Sequence, residues 1–260
     1  MGSIVTLNDV LKIYKSQKAG EIALKPYNKW FPLKPSPELA GVVADLICDG
    51  HLQGNPKWRI DFTFKINEEK LRFERKIEKI FGVKGKVRPC YSNMWGESYN
   101  YGVNCKPLAK TLFLCGVPSG NKVLGNFAFP GWIFENKNYF REFTKRFYNC
   151  EGTCWGGKSP GIGFEMWKEA GKIDNLKEFL EVIRCGLKKF FDIKTTEIFT
   201  TNSVHNRKDG YVTRPLRFYI KRKESIFKFY KDIGFEYEKQ NKLKNIIEKW
   251  GRTSVGTEVP

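Results

Sequence analysis

The sequence predicts an α+β protein made of two tandem units of one plan, helix–strand–strand–helix–strand–strand–helix (αββαββα). Three observations carry this. ELAGVVADLICDG (38–50) and EFTKRFYNCEG (142–152), one in each half, are helical patterns that stop at an acidic residue followed by Gly, the usual helix stop. WRIDFTFKI (58–66) alternates strictly, with Arg59, Asp61, Thr63 and Lys65 on one face and Ile60, Phe62, Phe64 and Ile66 on the other, the signature of a half-buried strand. The order of patterns after residue 137 then repeats the order before 116.

TLNDVLKIYKSQK (6–18) is a short helical pattern in an N-terminal extension that closes on a Pro-rich stretch at Pro37; residues 1–37 read equally as an added ligand-contacting arm or a cap on the first sheet. The first unit, 38–116, opens with the acid-ended helix (38–50) and the strand 58–66. NEEKLRFERKIEKIF (67–81) is an amphipathic helix with Asn67 as N-cap and Gly82 as stop. A hairpin over 83–105, its tip at Glu97-Ser98, and a helix near 107–115 complete the unit. A Gly/Pro-punctuated linker occupies 117–137. The second unit, 138–250, holds an acid-ended helix (138–152), a strand (162–168), a helix (174–191), strands at 194–204 and 211–222 about the turn NRKDG, and helices at 223–232 and 236–249. Residues 251–260 read as a disordered tail.

Lys and Arg outnumber Asp and Glu by 46 to 28 in 260 residues, a net charge of +18, which calls for a polyanionic partner. No apolar run reaches the roughly 18 residues of a membrane span, and no cationic start leads into a signal-peptide core, so a cytoplasmic protein is expected. Seven Cys, no CxxC and two His argue against a disulfide framework or a zinc site. Cys90 and Cys105 could face each other across the hairpin, and are expected reduced. Gly152, Gly157, Lys158 and Ser159 match the P-loop spacing, but a helix precedes them and Pro160-Gly161 follows, so no nucleotide cofactor is expected.

The acid-Gly endings carry the chemistry. A carboxylate in a last helical turn meets about half a negative charge already there. Two such endings in a very basic chain point to divalent cations, Asp49 and Glu151 emerging together if their helices pack side by side. Ala40, Ala44 and Cys48, four residues apart, form a row of small side chains that would let another helix approach. Mg²⁺ on one or two carboxylates plus phosphate oxygens is the usual arrangement for phosphodiester chemistry. The strand faces with Arg59, Asp61, Thr63 and Lys65, and with Tyr211, Thr213, Arg217 and Lys221, are long-armed and polar; Lys84, Lys86 and Arg88 extend the first. Such faces suit the DNA major groove.

Aligned on the terminal acid-Gly, VVADLICDG (42–50) and TKRFYNCEG (144–152) resemble the paired motifs of the LAGLIDADG homing endonucleases, in the monomeric two-motif form. GVPSGNK (116–122) with PGWI (130–133), and FYKDIGFEYEKQNKL near the end, are similar to segments of the DOD-type members. Arg146 departs from the small residue usual at the motif's third position, where Ala44 conforms. The resemblance implies a saddle of two four-stranded antiparallel sheets along the major groove of double-stranded DNA and a pseudo-two-fold monomer. It implies metal bound by Asp49 and Glu151 with the preceding carbonyls of Cys48 and Cys150, and catalytic lysines at Lys65 and Lys168, with Lys106 a rival. Mg²⁺ or Mn²⁺ would support cleavage and Ca²⁺ would substitute without it. The alternative is an RNA maturase of the same fold. The chain opens on Met and lacks a terminal His-Asn, so an intron-encoded protein is expected before a self-splicing one.

Overall fold

A computed structural model describes residues 2–90 and 97–253, with side chains to residue 250. The chain forms two compact units, Met1–Phe143 and Thr144–Pro260.

The first unit contains α1 (Leu7–Leu11), α2 (Gln17–Leu24), a 3₁₀ turn (Lys25–Trp30), α3 (Pro37–Ile47), β1 (Gly50–Gln53), β2 (Arg59–Phe64), α4 (Asn67–Phe81), β3 (Lys86–Pro89), β4 (Tyr99–Val103) and α5 (Lys106–Leu114). Helix α6 (Lys137–Glu151) starts in it and continues into the second unit. The strands form an antiparallel sheet in the order β1-β2-β4-β3. Ile60, Phe62, Phe64, Tyr101 and Val103 are buried on its helix side, and Phe62 stacks on Phe73 of α4 at 4.5 Å. Each such side chain contributes about 1.5–3 kcal/mol by leaving water.

Residues 1–37 cap this unit's helical layer. Val5 bridges to Leu33. Trp30 packs edge-on against Phe81 of α4 at 5.2 Å and donates its indole N–H to the Phe81 carbonyl at 2.8 Å. From α5, the buried Lys110 reaches the Ile13 carbonyl at 3.0 Å. The single helix expected at 6–18 is two, because Ser16 caps α2 through the Ala19 N–H.

The second unit contains β5 (Gly152–Trp155), β6 (Gly161–Glu169), α7 (Ile173–Phe191), β7 (Phe199–Thr200), β8 (His205–Asn206), β9 (Val212–Ile220), α8 (Lys223–Asp232) and α9 (Tyr237–Thr253). Its antiparallel sheet runs β5-β6-β9-β7, with β8 also on β9, so it has five strands where four were expected. The fifth arises by breakage. Phe199 pairs with Arg217 and Thr200 with Leu216, but His205 pairs with Thr213, so the edge strand gains two residues opposite Arg214 and Pro215. Pro215 has no N–H to donate, and the ladder cannot continue past it.

The acid-Gly steps explain two strands the pattern does not mark. A Cβ on Gly50 would lie 2.6 Å from the Leu46 Cα, and one on Gly152 would lie 3.0 Å from the Tyr148 Cα and closer still to its carbonyl oxygen. Only glycine lets the chain reverse directly from helix into strand there, so β1 and β5 start on it.

Other expectations are corrected. Asn67 is the first residue of α4, not its cap. Ser98 is not at the hairpin tip, since its carbonyl already accepts from the Cys90 N–H at 2.9 Å; residues 91–96 lie outside the described residues. Cys90 therefore faces Ser98, while Cys105 precedes α5, and neither is in a disulfide. The tail expected from 251 begins inside α9, and 254–260 lie outside the described residues. Among the described residues no helix is long and apolar enough to cross a membrane.

Candidate functional site

Helix α3 ends at Ile47, leaving Asp49 exposed at the step into β1, with its carbonyl accepting from the Thr63 N–H at 3.2 Å. Helix α6 runs to Glu151 itself, which is half-buried. Neither helix carries a basic residue in its last turn. The positive charge comes instead from distant segments. In the first unit the Lys122 ammonium donates to the carbonyls of Leu46 (3.3 Å), Cys48 and Gly50 (2.7 Å). In the second, the Lys239 ammonium donates to the carbonyls of Asn149 (2.5 Å) and Gly152 (2.8 Å).

The two segments that carried the resemblance deliver these lysines. Gly120, at φ +81°, donates its N–H to the Leu52 carbonyl of β1 at 2.9 Å, and Lys122 follows two residues later. In GFEYEKQ, Gly234 turns at φ +69°, Glu236 pairs with Arg146, and Lys239 reaches the end of α6. This also accommodates Arg146: it is buried, its guanidinium bidentate on the Glu236 carboxylate.

Asp49 and Glu151 offer the hard oxygen donors a divalent cation takes. The Cys48 carbonyl does not fit that role as it stands, because an ammonium holds it, and the carbonyls flanking Cys150–Glu151 are held in the same way. Among the described residues no three His, Cys, Asp or Glu gather as a metal cluster. Burial, and beside it the Asp49 charge, push the Glu69 carboxyl up; burial and then Lys122 push the His51 imidazole down.

The open face of the first sheet brings together Arg59, Asp61, Thr63, Lys86 and Arg88. Asp61 takes Arg88 at 2.6 Å and Arg59 at 3.2 Å, and Thr63 donates to Asn100 at 2.8 Å. His51 and Gln53 lie in the same rows by register with Asp61 and Arg59. They and Asn100 are additions to the expected set; alternation counted outward from the Asp-Gly step would have found the first two. Lys84 is not in this group: it precedes β3 and pairs with Glu78 of α4 at 3.0 Å. On the second sheet, Glu151, Thr153, Trp155, Glu165, Arg217, Tyr219 and Lys221 line a groove of about 500 Å³. Arg217 pairs with Glu165. Thr213 is corrected: it is 3% exposed and donates to the His205 carbonyl at 3.2 Å.

The two catalytic lysines inferred from the resemblance are not equivalent. Gly50 lies opposite Phe62 and Gly152 opposite Phe164. Counting from those pairs, the counterpart of Lys65 is Trp167, and Lys168 is one residue further. Lys65 is exposed past the end of β2; Lys168 is 1% exposed on the opposite, helix-covered face. A one-residue offset turns a strand side chain over. Lys106 is the exposed first residue of α5. Of the P-loop-like residues, Gly152 opens β5 and Gly157, Lys158 and Ser159 lie in the β5–β6 connection, with a strand following instead of a helix.

No family model matches the chain. It is 30% identical over 224 residues to the tRNA-splicing ligase RtcB of Pyrococcus furiosus, covering 80% of this chain and 22% of the ligase. It is 31% identical over 186 residues to the replication factor C small subunit of Methanocaldococcus jannaschii, covering 62% and 10%. The chain thus spans about a fifth or less of these curated relatives. Among solved structures it is similar to the homing endonuclease I-WcaI bound to its DNA recognition sequence (TM-score 0.53, 13% identity, 92% of this chain and 98% of that one). It is also similar to full-length DUF199/WhiA from Thermatoga maritima (TM-score 0.50, 15% identity, 85% and 65%). With its two antiparallel sheets and helix-ending acid-Gly steps, the chain has the α+β fold of the LAGLIDADG homing endonucleases.

Proposed function

We propose that the chain is a site-specific double-strand DNA endonuclease, a two-motif monomer in which Asp49 and Glu151 bind divalent cations, Mg²⁺ in the first place. One observation carries the reading: in each unit the motif helix delivers a carboxylate to the edge of an open sheet face of long polar side chains. The DNA-bound endonuclease of the same fold supports it. So do the curated relatives. A ligase and a replication factor share this stretch and are matched over only 22% and 10% of their lengths. A segment common to proteins of unrelated names is not what those names describe, and such sharing is what a mobile element would produce.

A divalent cation on these carboxylates would polarise the scissile phosphate and acidify a bound water. The chain's own residues would do the rest. Lys65, exposed past the end of β2, would meet phosphate oxygens; Arg59, Arg88 and Arg217, now held by Asp61 and Glu165, would exchange those partners for base edges and phosphates. Their pre-pairing keeps them ordered on the sheet, so less side-chain entropy is lost on binding.

Asp49→Asn or Glu151→Gln should remove cleavage of a selected target in Mg²⁺ while binding persists in a gel-shift assay. Cleavage by either variant at the wild-type rate would refute the assignment. Binding should also weaken steeply with salt, log K falling by about 0.9 per neutralised phosphate for each unit of log salt concentration. A flat response would refute a sheet-borne duplex.

A further inference from the structure

The last four carbonyls of a helix have no partner within it, and the helix end adds about half a negative charge. At the ends of α3 and α6 a motif carboxylate stands in the same place. Two lysines of unrelated sequence position answer this in the same way. Lys122, from the segment after α5, uses its three N–H donors on Leu46, Cys48 and Gly50. Lys239, from the start of α9, spans Asn149 and Gly152. Lys122 is tied down by the Gly120 turn on β1, and Lys239 by Glu236 on Arg146 three residues earlier. Two independent tethers that bring an ammonium to two acid-bearing helix ends are not a surface accident.

Resting on the metal-binding reading above, we propose that Lys122 and Lys239 are tethered cations that compete with divalent metal for the peptide oxygens at these helix ends. Each lysine must withdraw before the carbonyls around Asp49 or Glu151 can ligate a cation. The lysines then do two things. They keep the helix ends neutralised and folded without metal, and they raise the metal concentration at which the sites fill. A plain helix cap would do only the first.

The test is Mn²⁺ binding to the full chain without DNA, read by the loss of the free-ion electron paramagnetic resonance signal. Lys122→Met and Lys239→Met should each bind Mn²⁺ about tenfold more tightly at one site, the effect of removing a unit charge roughly 6 Å from a dication in a water-like dielectric. Lys122→Arg should stay near wild type. Equal or weaker binding by folded methionine variants would overturn the proposal and leave the lysines as caps. A second measurement uses only the wild-type chain. Brief acetylation with acetic anhydride, mapped by mass spectrometry, should label Lys122 and Lys239 faster when Mn²⁺ is present; unchanged or slower labelling would overturn the proposal. The metal reading fails separately: wild type and the double variant Asp49→Asn, Glu151→Gln would then bind Mn²⁺ alike.

Discussion

Replacing Arg146 with methionine should destabilise the protein by about 3 kcal/mol, measured by urea denaturation at pH 7, and the loss should be largely recovered by also replacing Glu236 with leucine. Arg146 is 3% exposed, and both its terminal nitrogens lie on the Glu236 carboxylate. Removing one partner of a buried pair leaves the other charge desolvated, which costs about 3–5 kcal/mol, whereas replacing both by apolar groups is often neutral or better. The lower end applies because Glu236 keeps 17% side-chain exposure and has Lys145 at 3.7 Å. Glu236 is also fixed through its backbone, its N–H donating to the Asn149 side chain at 2.7 Å, so it cannot swing out to water without disturbing the end of α6. The prediction separates this pair from the exposed pairs of the chain, such as Lys188 with Asp192, whose loss should be small. A single Arg146→Met variant as stable as wild type would show that Glu236 finds water or Lys145 at no cost.

The first unit's buried pair sits elsewhere: Asp45 of α3, fully buried, takes Arg72 of α4 through two bonds of 2.5 and 2.9 Å. The units share a plan but not its ionic cross-links, and that marks what could be read from sequence. Periodicity located the long helices and the strand 58–66, because their apolar rows bury one continuous face. It did not locate β1 and β5, four residues each, whose cause is steric crowding at Gly50 and Gly152. It joined β7 to β8, because the break follows from a missing N–H on the neighbouring strand, at Pro215. The carboxylates at the helix ends were legible because an acid before a glycine stop is electrostatically odd. The lysines that answer them were not, because nothing local to Lys122 or Lys239 names a carbonyl 74 or 90 residues away.

Lys168→Met should stabilise the protein at pH 7 by up to about 3 kcal/mol, and the advantage should fade between pH 8 and 10.5. Burial, with Lys172 next in effect, lowers the Lys168 ammonium from an ordinary value of 10.5 to about 8. A lysine whose folded pKa lies below its unfolded one opposes folding while both states are charged, below about pH 8. As pH rises from there to 10.5 the folded state sheds its proton while the unfolded chain keeps one, so this group's penalty is relieved and wild type catches up with the variant. Each pKa unit is worth about 1.4 kcal/mol, which sets the ceiling. Methionine nearly matches the lysine stem in volume, so repacking adds little. Urea midpoints of the two proteins at pH 7, 8, 9 and 10 measure the effect; a variant less stable at pH 7 would mean the ammonium's own bonds outweigh its burial. Cleavage by the same variant decides between the two faces of the sheet. Placed on the helix side of β6, Lys168 should be dispensable for cleavage while Lys65, exposed beyond β2, should not. A folded Lys168→Met protein that no longer cuts would return Lys168 to the chemistry, and would require the end of β6 to turn over when DNA binds.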